Sequence, residues 1–321
     1  MFELCFHIGL HKTGTTFLQT EVFPKIDPGK FHFLGKMSSL MKSIIYQDPT
    51  YFDAARIRDR ILENTHADKI NLISNEDLSG DPLNGGIHRT NIIANLHRCF
   101  PNAKVVLFIR KQDDWALSNY LGSIRRGTNL SLSRFFEPAL NPEKAWRRRY
   151  PNPTLELFLY YPYIRELKRV FGDCALLVMP YEALKVDCEA VIRRLCDFIE
   201  VKEPEYKNVK RNYTWGKKRV AFHRIINLFV ESPQNPYGFI RGVPVYSRKD
   251  REIKYLTLRK LLVKYGMVDA YDRLIDKFDS KYIDKKSVCK EILERCIDDN
   301  RRIQKDYVIE LEPYGYLDGK I

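Results

Sequence analysis

The sequence predicts an α/β fold in which a parallel central sheet is flanked by helices, with a mainly helical C-terminal part. Short apolar segments alternate with helix-period stretches, and strand–helix crossover units of this kind build parallel sheets. The predicted strands are residues 3–8, 70–74, 104–109 and 175–179. Polar residues follow each of them within three positions. Because ligands of such sheets collect at the carboxyl ends of the strands, we expect the functional residues there.

Helix-period stretches separate the predicted strands. They cover about 15–25, 54–66, 87–99, 113–126 and 155–171. Residues 127–154 are rich in proline and arginine and show no period, which predicts a long surface loop.

After residue 199 the sequence predicts helices and no further strand. The expected helices are 220–231, 250–265 and 284–306. We therefore expect one domain over 1–321, with an α/β core over 1–199 and a mainly helical extension over 200–321.

The composition favours anionic partners, because 54 Lys and Arg against 41 Asp and Glu leave a formal net charge of +13. The aromatic residues lie mostly in apolar patterns rather than interleaved with the basic runs, and no recognised nucleic-acid motif is present, so we expect no nucleic-acid partner. Seven cysteines without a CxxC pair or a histidine cluster predict reduced thiols in a cytoplasmic protein and no metal site. No apolar run approaches the roughly 18 residues that span a bilayer.

The most informative segment joins the first strand to the first helix. It runs Gly9-Leu10-His11-Lys12-Thr13-Gly14-Thr15-Thr16. Gly9 and Gly14 have the spacing of a nucleotide phosphate-binding loop, whose backbone N–H groups and following helix form a pocket for phosphate oxygens. The lysine of that motif is displaced, because Thr15 follows the second glycine and Lys12 lies inside the loop. A glycine–threonine turn that only caps a helix is the alternative interpretation.

A second segment follows the third predicted strand. Arg110 ends the strand and Ser118 lies eight residues later on the next predicted helix. Arginine offers a forked donor for a phosphate and serine adds a neutral hydroxyl. Surface ion pairs of Arg110 with Asp113 or Asp114 are the alternative.

Together these segments resemble the sulfotransferases that use 3′-phosphoadenosine 5′-phosphosulfate (PAPS), whose motifs are K-[ST]-G-T-[ST] and R-x7-S. Residues 179–201 resemble a third family segment, so the resemblance covers about 3–199. It implies a P-loop-like three-layer fold, with Arg110 and Ser118 on the 3′-phosphate. It also implies that the 5′-phosphosulfate is bound by Lys12, Thr13, Gly14, Thr15 and Thr16.

The resemblance places a general base just after the second predicted strand. Asn75-Glu76-Asp77 stands there without a histidine, so Glu76 is the predicted base and Asp77 and His11 are the alternatives. Lys12 is expected to stabilise charge on the departing phosphate.

Basic residues elsewhere suggest further contacts with anions. Lys217 and Lys218 are candidates for a late nucleotide-binding segment, together with residues 210–216, and a solvated helix start is the alternative. Arginines at 125–126 and 147–149 could hold an acidic saccharide, and solvated surface charge is equally compatible.

The predicted function is therefore transfer of a sulfuryl group from PAPS to a hydroxyl or amine. The product nucleotide would be 3′-phosphoadenosine 5′-phosphate (PAP). The acceptor is expected to be a carbohydrate or glycolipid, including an acidic glycan, and small alcohols and phenols are the alternatives. A P-loop kinase that uses ATP and magnesium is the alternative.

Overall fold

A computed structural model gives the fold of the chain. It describes residues 3–143, 153–207, 216–232, 234–235, 237–241, 243–247, 252–256 and 288–317. The chain forms two compact units, and the first holds Met1–Trp115, Phe136–Lys210 and Cys289–Ile321. The second unit holds Ala116–Phe135 and Arg211–Val288. No helix among the described residues is both long and apolar enough to cross a membrane. The single domain expected over 1–321 stays a prediction.

The centre of the first unit is a five-stranded sheet in which every neighbouring pair is parallel. Its strands are β1 (Glu3–His7), β2 (Phe31–Gly35), β3 (Ile70–Ser74), β4 (Lys104–Ile109) and β5 (Leu176–Pro180). Their order in the sheet is β2-β3-β1-β4-β5. The predicted parallel α/β fold is confirmed, and the four predicted strands correspond to β1, β3, β4 and β5. The sequence did not predict β2, an edge strand in which only Phe31 is buried.

Strand order reverses at β1, because β2 and β3 lie on one side of it and β4 and β5 on the other. His7 pairs with Ser74 of β3 and with Val106 of β4, so β1 and β3 end level while β4 runs three residues further. Ligands of open α/β sheets bind at such a switch point. The carboxyl edge around β1 is therefore where the candidate site should lie.

Helices cover the sheet of the first unit. They are α1 (Thr15–Phe17), α2 (Ser38–Tyr46), α3 (Ala54–Leu62), α4 (Arg89–Cys99) and the start of α5 (Gln112–Arg125). After α6 (Leu132–Phe135), which belongs to the second unit, follow α7 (Glu137–Leu140), α8 (Tyr160–Phe171), α9 (Tyr181–Val186) and α10 (Cys188–Ile199). The helix α1 continues as a π-helical segment, Leu18–Val22, and a 3-10 turn, Phe23–Lys25.

The core packs α1 and α10 against the sheet. Leu18 and Ile192 are fully buried, as is Val106 of β4, and all three belong to one apolar cluster. The predicted loop over 127–154 is partly wrong, because the short helices α6 and α7 occupy its first half. Their four-residue length shows too little of a helical period to be recognised in sequence. Residues 144–152 lie outside the described residues.

The second unit contains α11 (Lys217–Phe229) and a two-stranded antiparallel sheet, β6 (Val243–Ser247) and β7 (Glu252–Leu256). The expectation of helices alone after residue 199 is wrong here, because β7 lies within the predicted helix 250–265. Ile253 and Tyr255 alternate with charged residues, a strand period that also fits one turn of helix. Near the C-terminus, α12 (Val288–Arg295) lies within the predicted 284–306 helix. A separate helix, α13 (Ile297–Tyr307), follows it and ends one residue beyond the predicted end.

Candidate active site

The loop between β1 and α1 follows the end of β4 before it turns into the helix. Ile8 N donates to Val106 O at 2.9 Å and Leu10 N donates to Phe108 O at 3.0 Å. The loop then takes two left-handed residues, Lys12 at φ 67° and Gly14 at φ 81°. Only glycine adopts this region at little cost, so Lys12 holds a strained conformation. Strain of this kind persists where surrounding contacts hold the backbone.

Two side chains from β4 and α5 provide those contacts. Trp115 Nε1 donates to His11 O at 2.7 Å, and Arg110 Nη1 donates to Lys12 O at 2.7 Å. Trp115 is 1% exposed, so its packed indole holds the His11 carbonyl in a fixed position. The two segments that the sequence singled out, the phosphate loop and the arginine at the end of β4, therefore meet at one edge of the sheet.

The start of α9 closes the other side of the loop. A Cβ on Gly14 would lie 3.0 Å from Tyr181 Cε2 and 3.1 Å from Leu184 Cδ2, so the backbone and the Tyr181 ring are in close contact. The same ring has the Arg110 guanidinium 5.1 Å from its centroid and the Lys185 ammonium at 4.6 Å. Tyr181 thus packs between the loop and two cations.

Donors beside the loop lack partners among the described residues. Thr15 Oγ1 and Arg110 Nε are buried and form no hydrogen bond there. Buried polar groups are normally paired, and a hydroxyl with a guanidinium is a donor set that suits a phosphate. The loop therefore fits a phosphorylated ligand. Thr13 differs, because its hydroxyl donates to Leu10 O at 2.5 Å and so stabilises the loop itself, while Thr16 is exposed.

A second cluster lies where β2 and β3 end. Glu76 begins a 3-10 turn after β3, and its Oε1 is 2.7 Å from Lys36 Nζ. His11 Nε2 is 2.9 Å from Asp77 Oδ1. All three base candidates from the sequence thus lie at this edge, with Glu76 paired to a lysine and the other two paired to each other. Burial acts to raise the pKa of Glu76, but the Lys36 hydrogen bond, a backbone hydrogen bond and the charges of Lys36 and His11 together lower it.

A buried polar network lies beneath the loop. His7 Nδ1 is 2.7 Å from Ser74 Oγ, and Gln19 Nε2 donates to the carbonyl and the hydroxyl of Ser74 at 2.9 and 3.0 Å. Burial lowers the pKa of His7 to about 4, although the charge of Glu76 acts in the opposite direction. His7 is therefore neutral near pH 7 and ties β1 to β3 just below the site.

The C-terminal segment supports the arginine side of the site. Tyr160 Oη donates to Arg110 O at 2.8 Å, while Glu182 accepts from Lys111 N at 3.2 Å and from Tyr316 Oη at 2.7 Å. Tyr316 is fully buried. Burial raises the pKa of Glu182 despite these donors and nearby cations. The backbone around Arg110 is thus held by residues far along the chain.

Other predicted residues lie in the second unit. Ser118 is half-buried on α5, and Lys217 and Lys218 are exposed at the start of α11. Residues 210–215 and the arginines at 147–149 lie outside the described residues. Sequence reasoning missed Lys36, Gln19 and Trp115. For Lys36 the available signal was its position directly after the FHFLG segment of β2, which was not recognised as a strand.

The all-parallel sheet, the glycine-containing loop at its switch point and the adjacent arginine define an α/β protein of the P-loop-like class. Residues 87–205 match the model of the sulfotransferase family. The matched region contains Arg110 and begins after the phosphate loop. Among curated proteins, no sequence matches the chain.

Solved structures that resemble the chain include a sulfotransferase from Alicyclobacillus acidocaldarius, 16% identical, with a TM-score of 0.47 over 71% of this chain and 94% of that one. Mouse sulfotransferase SULT7A1 complexed with PAP is 15% identical, with a TM-score of 0.37 over 63% of this chain and 60% of that one. The sulfotransferase domain of the curacin biosynthetic pathway is 11% identical, with a TM-score of 0.39 over 92% and 97%. At TM-scores below 0.5 such likeness supports no inference about this chain.

Proposed function

We propose that this protein is a sulfotransferase that uses PAPS as its donor and a hydroxyl or amine of a carbohydrate or glycolipid as its acceptor. The observation that carries the proposal is the bond from Arg110 to the carbonyl of Lys12, which brings two anion-binding elements together. When bound, PAPS supplies the sulfuryl group and leaves as PAP. PAPS carries a phosphosulfate on the 5′ carbon of its ribose and a phosphate on the 3′ carbon, so its binding site needs two anion-binding elements.

Residues of the loop hold the phosphosulfate end. Backbone N–H groups at the start of α1 and the hydroxyl of Thr15 donate to its oxygens, together with the backbone of Thr13 and Gly14 and the exposed Thr16. The ammonium of Lys12 stabilises the charge that develops on the departing phosphate. On the other side, the guanidinium of Arg110 holds the 3′-phosphate as a forked donor. Contacts of Ser118, Lys217 and Lys218 with the nucleotide stay predictions.

Glu76 takes the proton of the acceptor. Its lowered pKa keeps it ionised near pH 7, so it is in the protonation state that a base requires. Asp77 and His11 are hydrogen-bonded to each other, which leaves Glu76 as the carboxylate not shared with a histidine at this edge.

The carbohydrate acceptor follows from the carboxylate base and the excess of basic residues, which suits an acidic saccharide or an anionic glycolipid head group. The net charge of +13 adds long-range attraction for such acceptors. The acceptor and a cytoplasmic location are both predictions from the sequence.

Radiolabelled PAPS tests the proposal. The purified protein is incubated with labelled PAPS and separate pools of acidic oligosaccharides, glycolipids and simple phenols, with Lys12→Ala and Lys25→Ala run in parallel. Lys25 is a control because its ammonium pairs with Glu21 four residues earlier, beyond α1. We expect label in a carbohydrate pool, lost in Lys12→Ala and kept in Lys25→Ala. Label in the phenols alone would refute the acceptor class, and phosphate transfer from labelled magnesium-ATP would refute the donor.

A further inference from the structure

Lys36 is held against Glu76 by its side chain and by its backbone. Its Nζ is 2.7 Å from Glu76 Oε1, and its carbonyl accepts from Asn75 Nδ2 at 3.0 Å. Asn75 directly precedes Glu76, and its own N–H donates to His7 O at 3.0 Å. The turn after β2 is therefore tied to the end of β3, and through it to the end of β1.

The turn that carries Lys36 has an uncommon backbone. Gly35 has φ 69° and Met37 has φ 42°, so Lys36 lies between two left-handed residues. A non-glycine residue such as Met37 adopts this region only with steric strain between its Cβ and the backbone. Conformations of this kind concentrate at functional sites, where neighbouring contacts enforce them. The two bonds to β3 described above are such contacts.

The two oxygens of Glu76 differ in their surroundings. Oε1 is paired with Lys36, whereas Oε2 is buried and has no hydrogen-bond partner among the described residues. A buried carboxylate oxygen without a donor is costly. The ion pair with Lys36 therefore compensates the charge of this mostly buried carboxylate.

We propose that Lys36 is a positioning residue that binds Oε1 of Glu76 and so holds the carboxylate ionised and oriented to take the acceptor's proton. This inference rests on the proposed function. In the step, the acceptor O–H proton moves to the Glu76 carboxylate as the acceptor oxygen bonds to sulfur. The bond from sulfur to the bridging oxygen breaks, and its electron pair stays on the 5′-phosphate of PAP.

The charged groups around Glu76 explain why a cation is needed. Two histidines interact with it, His11 from the phosphate loop and buried His7 from β1. Asp77 is its neighbour and is bonded to His11, and Lys36 is the cation that pairs with Glu76 directly. An anionic donor bound at the loop would act to raise the pKa of Glu76 and protonate it. The charge of Lys36 opposes that effect, and so the base stays ionised while the donor is bound.

The test compares Lys36→Met, Lys36→Arg and the control Lys25→Met, which removes a lysine paired with Glu21. Three measurements are made on each full-length protein. NMR of the glutamate carboxyl carbons, with Glu76 assigned through Glu76→Gln, follows its titration with pH. PAP release during slow transfer from PAPS to water gives a pH–rate profile. Calorimetry gives the dissociation constant of PAP.

We expect the Glu76 titration and the acidic limb of the rate profile to move together to higher pH in Lys36→Met. Both should stay in place in Lys25→Met and return close to the wild-type position in Lys36→Arg, with PAP affinity within about twofold throughout. An unchanged Glu76 titration in Lys36→Met would overturn the proposal, as would a shifted titration with an unmoved rate profile. Absence of PAP binding in the wild-type protein would instead refute the proposed function, and the NMR titration would still report on the Lys36–Glu76 pair.

Discussion

Replacing Gly14 with alanine tests how closely the phosphate loop is packed. Gly14 has φ 81°, where alanine costs about 1 kcal/mol more than glycine. The added Cβ would also lie 3.0 Å from Tyr181 Cε2 and 3.1 Å from Leu184 Cδ2. Both distances are shorter than ordinary carbon contacts, so the ring and the loop must separate. Overpacking of this kind costs roughly 1–3 kcal/mol.

A matched variant separates the contact from the backbone strain. Gly172 has φ 90°, and no atom lies within 4 Å of the position that a Cβ would take. Gly172→Ala therefore carries strain without a clash and lies at the end of α8. We expect both variants to lose stability. Only Gly14→Ala should weaken PAP binding, by about tenfold to a hundredfold if the contact cost falls on the bound loop.

Urea denaturation gives the free energy of unfolding of each variant, and calorimetry gives the PAP dissociation constant. Equal PAP affinity in Gly14→Ala and Gly172→Ala would refute the reasoning. It would mean that the packing of Tyr181 on the loop does not matter for the ligand.

Three further predictions concern the base, the C-terminal support and the buried histidine. Glu76→Gln should lower sulfuryl transfer by about 10²- to 10⁴-fold while PAP affinity is kept, and an active variant would exclude Glu76 as the base. Tyr316→Phe removes a donor from buried Glu182 and should lower the free energy of unfolding by about 1–3 kcal/mol, measured by urea denaturation, whereas Tyr51→Phe, 85% exposed, should not. Because burial lowers the pKa of His7 from 6.5 to about 4, the unfolded chain binds more protons between these pH values. The stability attributable to His7 is thus present above pH 6.5 and is lost as the pH falls towards about 4. The loss amounts to about 3 kcal/mol in the free energy of unfolding. Urea denaturation of His7→Asn should therefore show a flatter dependence of stability on pH than the wild type.

The sheet could largely be predicted from sequence because buried parallel strands are continuous apolar runs. The segment at β4, KVVLFI, is such a run, and five of its six residues are buried. The edge strand β2 was not predicted. Four of its five residues are only partly buried, so its FHFLG sequence is not a continuous run of buried apolar residues. In the second unit, β7 alternates over only five residues, which is too short to separate a strand from a helical turn.

Residues of the candidate site that belong to a motif with a characteristic spacing could be predicted from the sequence. Lys12 and Arg110 were found in this way, and the structure places them in contact through the Lys12 carbonyl. Lys36 could not be found, because its role depends on the register of a strand that the sequence did not reveal. Tyr316 supports Glu182 across 134 residues of chain, a contact that no local pattern encodes.

The most direct test of the account is calorimetric titration of the purified protein with PAP and, separately, with magnesium-ATP, for the wild type and for Arg110→Ala. The account predicts tight binding of PAP, preferred over magnesium-ATP. In Arg110→Ala binding should weaken by about tenfold or more, because a charge-assisted bond to phosphate and the anchor of the Lys12 carbonyl are both lost. Preference for magnesium-ATP, or PAP binding that is indifferent to Arg110, would contradict the central claim that this edge of the sheet binds the sulfuryl donor.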